Sequence, residues 1–322
     1  MAWEGFGAER EREIRVFLPS LHERVGQALA TGQRFVHYTG AAAAVSMIRN
    51  GEMWLRNTQC MNDFSEVRHG LELLGRAYRS TAGERLTGFF ESIFPGIRKE
   101  VGERMEALAD TVAFDTYISC VSEHDDHEDG VGRLSMWRAY SGGGGVAFVL
   151  RNPPLVGAGS DALPVFTGPV EYAGRRAFFE RFGRFVDGML AEGPYLEALG
   201  AERACLALVG SYHFAALSTK HPGFAEEREW RMAFTPTLQP AGDLARSVEI
   251  CRGEPQLVYK LPLARRPGPP GASTALPDIL DALIIGPCES PRAVRDAFVE
   301  LLDGAGVPDA AARVQVSDIP VR

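Results

Sequence analysis

What the chain has little of narrows its class first. Its five cysteines, Cys60, Cys120, Cys205, Cys251 and Cys288, are scattered, odd in number and never arranged as Cys-x-x-Cys. That spacing excludes a disulfide framework and a zinc ribbon, and it fits a reducing, cytoplasmic setting. No apolar run approaches membrane-spanning length, so no membrane partner is expected. The start, Met-Ala-Trp-Glu-Gly-Phe, leads into a charged helix, without the basic start and apolar run of a signal peptide. Basic charge is in deficit: 34 Lys and Arg stand against 42 Asp and Glu, a formal net charge of −8. Affinity by general attraction to nucleic acid or to an anionic membrane is therefore disfavoured. Gly142 to Gly145 are followed by neither Lys-Ser nor Lys-Thr and lack the spacing of a dinucleotide fingerprint, which removes the P-loop and Rossmann readings.

What is present is an ordinary globular composition, 322 residues with 45% hydrophobic and 24% charged, enough for one large domain or two modest ones. Residues 8–30 predict a helix or helix pair broken near Pro19, with Ile14, Phe17, Leu21, Val25 and Leu29 at helical spacing. This segment, within 1–33, reads as a helical cap on a single α+β domain spanning 34–322. Helical insertions are expected at about 63–110 and 174–217. Arg34 to Tyr38 is a strand, residues 41–50 a helix closed by Gly51, and Glu52 to Arg56 a second strand, which puts His37 and Thr39 at a strand's carboxyl end. Asn62, Asp63 and Glu66 read as a helix cap. Residues 111–121 predict a core strand through Val112, Phe114 and Tyr117. Residues 135–140 predict one or two helical turns. Phe178, Phe179, Phe182 and Phe185 sit between arginines, a pattern read as a core face of a helix in preference to a stacking surface for single-stranded nucleic acid. Tyr195 to Leu217 predicts one further helix, and strands follow at 247–251, 256–261, 279–285 and 313–316.

Two segments carry candidate chemistry. Ser122 to Gly130 holds His124 and His127 among five acids, but it matches no metal-site spacing. A solvated acidic loop, exposed, mobile and free of metal, is the expectation. Lys220 to Phe234, Lys-His-Pro-Gly-Phe-Ala-Glu-Glu-Arg-Glu-Trp-Arg-Met-Ala-Phe, is a Pro-Gly loop running into a strand. Alternation predicts Trp230, Met232 and Phe234 on an apolar face and Glu227, Glu229, Arg231 and Ala233 on the other. Two adjacent carboxylates raise at least one pKa unless a cation compensates. A structural Glu-Arg pair and a ligand site both remain open on this pattern alone.

Taken in order, His37-Tyr38-Thr39, Asn62-Asp63 with Glu66, Ser119 to Ser122, Trp137-Arg138-Ala139-Tyr140 and Phe224 with Glu227-x-Glu229-Trp230-Arg231 resemble a bacterial domain family of unknown function, from about Phe35 onward. A more distant resemblance is to ADP-ribosyltransferases. It implies a mixed, mostly antiparallel split sheet with surrounding helices that grips NAD as a substrate, without metal. By that resemblance His37 contacts a ribose, Tyr140 or Tyr117 packs on nicotinamide, and Glu229 binds the nicotinamide ribose hydroxyl. Glu227 orients an acceptor or water, and Thr39, Trp137, Ser218 and Arg231 complete the pocket. The chain departs from many members in having Tyr38 directly after the histidine where they have Gly. The implied activity is ADP-ribosyl transfer to a macromolecule or NAD hydrolysis, in a toxin-like or phage-defence effector. A non-catalytic ligand-binding or sensor module is the alternative.

Overall fold

The computed structural model describes residues 7–60, 64–141, 144–151, 165–251, 253–266 and 273–320. Two helices, α1 (Ala8–Phe17) and α2 (Pro19–Thr31), open the chain, and Pro19 supplies the helix start that separates them. Then come β1 (Arg34–Gly40), α3 (Ala41–Asn50) and β2 (Glu52–Asn57). Gly51 ends α3 in the left-handed region at φ 61°, where a side chain would be strained. Three helices follow, α4 (Phe64–Tyr78), α5 (Thr81–Ile93) and α6 (Ile97–Phe114), before β3 (Tyr117–His124). Next are α7 (Leu134–Tyr140), β4 (Gly145–Leu150), β5 (Phe166–Pro169), β6 (Glu171–Tyr172) and α8 (Arg175–Ala191). After these the chain runs through α9 (Gly193–Leu199), α10 (Ala201–Ser218), β7 (Thr219–Lys220) and β8 (Glu229–Phe234). It ends with β9 (Ala245–Cys251), β10 (Glu254–Pro262), α11 (Leu276–Ile279), β11 (Leu280–Ile285), α12 (Pro291–Gly304), α13 (Ala310–Arg313) and β12 (Val314–Val316).

The result is an α+β fold with a mixed, mostly antiparallel sheet in the order β12-β11-β4-β1-β3-β2-β10-β9, with β8 on β3 and β5 on β8. Strands β11 and β12 pair in parallel, as do β6 and β7 in a separate small sheet. One face of the main sheet buries Phe35, Tyr117, Val121, Phe148, Trp230, Met232 and Phe234, together with Leu21 and Val25 of α2, Met47 of α3 and Leu302 of α12. On the opposite face, Ile118 and Ala233 pack against α4–α6 and α8–α10, while Val36, Tyr38 and Val149 pack against Met136 and Trp137 of α7. Burial on this scale stabilises at roughly 25 cal/mol per Å² of apolar surface.

The sheet is split beside β1. Strand β8 pairs with β3 from Tyr117 to Ser122, so it occupies one edge of β3 along that length. β1 pairs with β3 at Ser122–His124 and β2 pairs at Tyr117–Ile118. Because Ser122, Tyr117 and Ile118 also pair with β8, β1 and β2 must share the opposite edge. Between them, Ser119 to Val121 have no strand partner on that edge, and β1 diverges from β3 at His37.

Several local expectations are corrected. Val112 and Phe114 end α6, because Val101, Met105, Leu108 and Val112 keep helical spacing and bury against the helical layer. The long helix expected from Tyr195 is two helices, broken at Gly200 with φ 85°. Phe166 to Pro169, where no element is predicted from the sequence, is a strand on β8. The cap expected from Asn62 and Asp63 with Glu66, and Gly142 and Gly143 of the glycine run, lie outside the described residues or side chains.

Candidate functional site

The split opens into a cleft of about 970 Å³ lined by the end of β1, the start of α3, β2, β3, α7 and the approach to β8. His37, Thr39, Tyr140, Glu227 and Glu229 line it. So do Trp54, Arg56, Cys120 and Arg138, to which the sequence reading assigned no role. The strand of His37 and the strand of Glu229 are not direct neighbours: β3 lies between them, paired to both.

Cys120 joins the two sides. Its carbonyl lies 2.8 Å from His37 Nδ1, so that nitrogen carries the proton and donates, leaving Nε2 as an acceptor. Burial lowers the His37 pKa, against the smaller opposing effect of the Cys120 carbonyl, which keeps the ring neutral. On the other side, the Cys120 side chain hydrogen-bonds to Glu229.

Glu229 is 4% exposed, and each of its carboxylate oxygens has a cationic partner. Arg231 Nε donates to its Oε1 at 2.6 Å, and Lys220 Nζ donates to its Oε2 at 2.9 Å. Lys220, 1% exposed, also donates to Glu227 Oε2 at 2.7 Å and sits 4.9 Å from the centre of the Phe224 ring. Arg231 Nη1 donates to the Leu217 carbonyl at 2.6 Å, and the Glu229 amide donates to the Tyr172 hydroxyl at 2.8 Å. Among the described contacts, two carboxylates thus meet two cations. Burial pushes the Glu229 pKa up, but the charges and hydrogen bonds of Arg231 and Lys220 outweigh it and hold the group ionised below its usual range. Like-charge repulsion does not dominate here, because Lys220 compensates from nine residues away in sequence.

The expected alternation also fails at its first residue. Pro222–Glu227 is a 3₁₀ turn, and Arg228 adopts φ 43° before β8 begins. Glu227 therefore reaches Lys220 from a turn and Glu229 reaches it from a strand. A non-glycine residue in this region is strained by about 1–2 kcal/mol. Ion pairs from Arg228 to Asp125 and Glu128 hold it there.

Those partners belong to the segment expected to be an exposed acidic loop. His124 instead ends β3 with 2% exposure, its Nε2 2.8 Å from Asp129 Oδ1. Asp126–Glu128 form a 3₁₀ turn, and Glu128 is 5% exposed with Arg133 and Arg228 as partners. Arg34 ties Asp126, Asp129 and Asp281. Arginines from distant segments neutralise what reads locally as a solvated run, in which His124 and Glu128 are buried while Asp126, His127 and Asp129 stay exposed. Asp125, His127 and Glu128 bring potential metal-ligating atoms within 4.8 Å of one another, but arginines already engage both carboxylates.

Three residues assigned to the pocket lie off the cleft lining. Trp137 is 4% exposed, edge-on to Tyr38 at 4.8 Å, with its Nε1 donating to the Val131 carbonyl. Ser218 lines a different cavity. Arg231 is buried behind Glu229. Tyr117, the alternative stacking tyrosine, packs edge-on to Tyr259 in the core at 4.7 Å. Tyr38, Trp54 and Tyr140 are the large aromatics lining the cleft.

Residues 136–232 match a family described as a protein of unknown function (DUF2971). The match runs from α7 into β8 and so takes in Tyr140, Lys220, Glu227, Glu229 and Arg231. No curated protein and no solved structure matches the chain. Among the described residues, no helix is long and apolar enough to cross a membrane.

Proposed function

We propose that the cleft binds NAD or a closely related nucleotide and cleaves its nicotinamide–ribose bond, as an ADP-ribosyltransferase-like enzyme or NAD glycohydrolase. The observation that carries this reading is that His37 and Glu229, on either side of Cys120, line one cleft where the sheet splits. The bond breaks with its electron pair leaving on nicotinamide, and positive charge develops at the ribose carbon and ring oxygen. Glu229, held ionised, stabilises that charge and accepts a hydrogen bond from a ribose hydroxyl. His37 Nε2 accepts from a hydroxyl of the other ribose, and Tyr140 or Trp54 offers an aromatic face to a departing ring. Glu227, 18% exposed at its side chain, orients the acceptor or water whose oxygen bonds to the ribose carbon and whose proton is released. A cellular role as a toxin-like or phage-defence effector fits an activity that consumes NAD.

The test is incubation of the purified protein with NAD followed by assay of free nicotinamide. Wild type releases nicotinamide, Glu229→Gln does not, and Glu227→Gln retains cleavage while losing transfer to an acceptor. Equal release by wild type and a folded Glu229→Gln removes Glu229 from catalysis. One observation favours a second reading, a non-catalytic nucleotide-binding module: both Glu229 oxygens already carry strong cationic partners. In that case NAD binds and stays intact.

A further inference from the structure

A second cavity of about 450 Å³ lies beneath the α1–α2 junction, between α8 and α10, and shares no lining residue with the cleft. Its volume is in the range of small-molecule sites. The walls are aromatic: Tyr78 packs on Phe182 at 5.2 Å and on Tyr212 at 5.8 Å, with Phe178 and Phe214 beside them. Three hydroxyls in this lining, those of Tyr78, Tyr212 and Ser218, hydrogen-bond to no described residue, although Tyr212 and Ser218 are only 8% and 5% exposed. Their oxygens are not among the fully buried unpartnered atoms, so they are accessible from the cavity and available to a ligand.

The lining holds three arginines, Arg15, Arg181 and Arg184, and three glutamates, Glu23, Glu171 and Glu192, and Arg12 adds a cation from outside it. Glu171 is matched by Arg181, and Glu192 by Arg12. Arg15 and Arg184 have no carboxylate partner among the described residues, and they outnumber Glu23, which accepts only from Gln27. An apolar interior with hydroxyl donors and an excess of guanidinium suits an apolar body ending in a carboxylate.

The last turn of α10 connects this cavity to the cleft. Ser218 and Thr219 line the second cavity, and the next residue, Lys220, holds Glu227 and Glu229. Arg231, the other cation on Glu229, is anchored on the Leu217 carbonyl. A ligand that presses on Ser218 therefore acts on both cations that set the Glu229 carboxylate.

We propose that this second cavity binds an apolar carboxylate the size of a medium-chain fatty acid and transmits its occupancy to the Glu227–Glu229 pair through residues 217–220. The transmission rests on Glu229 being the working carboxylate of the cleft; the binding does not.

Dodecanoate displacing anilinonaphthalene sulfonate fluorescence is the binding test, with dodecanol as the uncharged control. Gly188→Trp is the blocking variant: Gly188 lines the cavity, and a Cβ there meets no atom within 4 Å, so the helix keeps its packing. Dodecanoate saturates at one per chain, and Gly188→Trp and Arg184→Glu each weaken it about tenfold or more. Dodecanol binds more weakly than dodecanoate. Non-saturating binding, or equal affinity in wild type and Gly188→Trp, overturns the site. Hydrogen exchange at amides 217–231 slows on dodecanoate binding if occupancy is transmitted, and unchanged exchange overturns the coupling. Neither readout involves NAD, so failure here is distinct from failure of the nucleotide reading.

Discussion

Lys220→Met is the perturbation that most sharply separates a compensated carboxylate pair from an ordinary surface ion pair. Methionine keeps the length and apolar stem of the side chain and deletes a cation that Glu227 and Glu229 share. Two unit charges about 4 Å apart interact by roughly 4 kcal/mol at an effective dielectric of 20. Removing one partner of a buried pair costs about 3–5 kcal/mol, because the remaining charge stays desolvated. Arg231 still faces Glu229, so the loss belongs in that range and not above it. The pH dependence gives the sign. In the wild type the Glu229 pKa is depressed below its ordinary 4.5, so its stabilisation is complete above that value and is lost as pH falls through the folded pKa. In Lys220→Met, burial and Glu227 push the Glu229 pKa up, so the destabilisation is largest near neutrality and shrinks as pH falls and the carboxyl takes a proton. Urea unfolding followed by circular dichroism at about pH 7 and about pH 3.5 is expected to show a loss of roughly 3–5 kcal/mol that narrows by about 1 kcal/mol or more at the lower pH. A loss below about 1 kcal/mol at both pH values refutes the compensated-pair argument.

Other outcomes follow from the same contacts. A Cβ on Gly70 meets the Ala216 carbonyl oxygen at 2.4 Å where α4 crosses α10, so Gly70→Ala is expected to destabilise by about 1–3 kcal/mol; thermal unfolding checks this, and an unchanged midpoint contradicts it. At Arg228, with φ 43°, the ion pairs are lost in both Arg228→Ala and Arg228→Gly, but glycine relieves the backbone; the glycine variant is expected to be the more stable of the two by about 1 kcal/mol in denaturant titration. Burial lowers the His37 pKa, so any inflection that this residue gives to nucleotide affinity in the cleft falls below the ordinary histidine value of 6.5, and an inflection above it in titration calorimetry contradicts this.

Elements with strong local signals were legible in the sequence. The Pro19 break, the Gly51 stop, β1 with His37, and the β9–β10 strands all follow from local residue chemistry. The failures have one physical origin, which is compensation from far along the chain. Glu123 to Asp129 reads as a solvated run because Arg34, Arg133 and Arg228, which neutralise it, belong to other segments. Glu227 and Glu229 read as strand neighbours because nothing local announces the left-handed Arg228, and Lys220 carries no motif that marks it as their shared cation. Trp137 shows the converse: a large aromatic beside candidate site residues looks functional, yet it fills the space between Gly132 and Gly286, where added Cβ atoms would lie 2.7 and 2.8 Å from its ring. Cys120 acts through a carbonyl and a thiol, and the carbonyl contact leaves no trace in residue identity.

The most direct test of the shared site is calorimetric titration with an NAD analogue whose nicotinamide ribose ring oxygen is replaced by a methylene, which binds without being cleaved. Wild type is expected to bind one equivalent, with affinity reduced about tenfold or more by His37→Ala, which removes a hydrogen bond, and by Glu229→Gln, which removes the charge on a desolvated acceptor. Trp137→Phe, whose indole faces the core, should leave the affinity within a fewfold of wild type. Absence of binding by the folded wild type, or binding indifferent to both His37 and Glu229, contradicts the claim that the two strands hold one ligand across the split in the sheet.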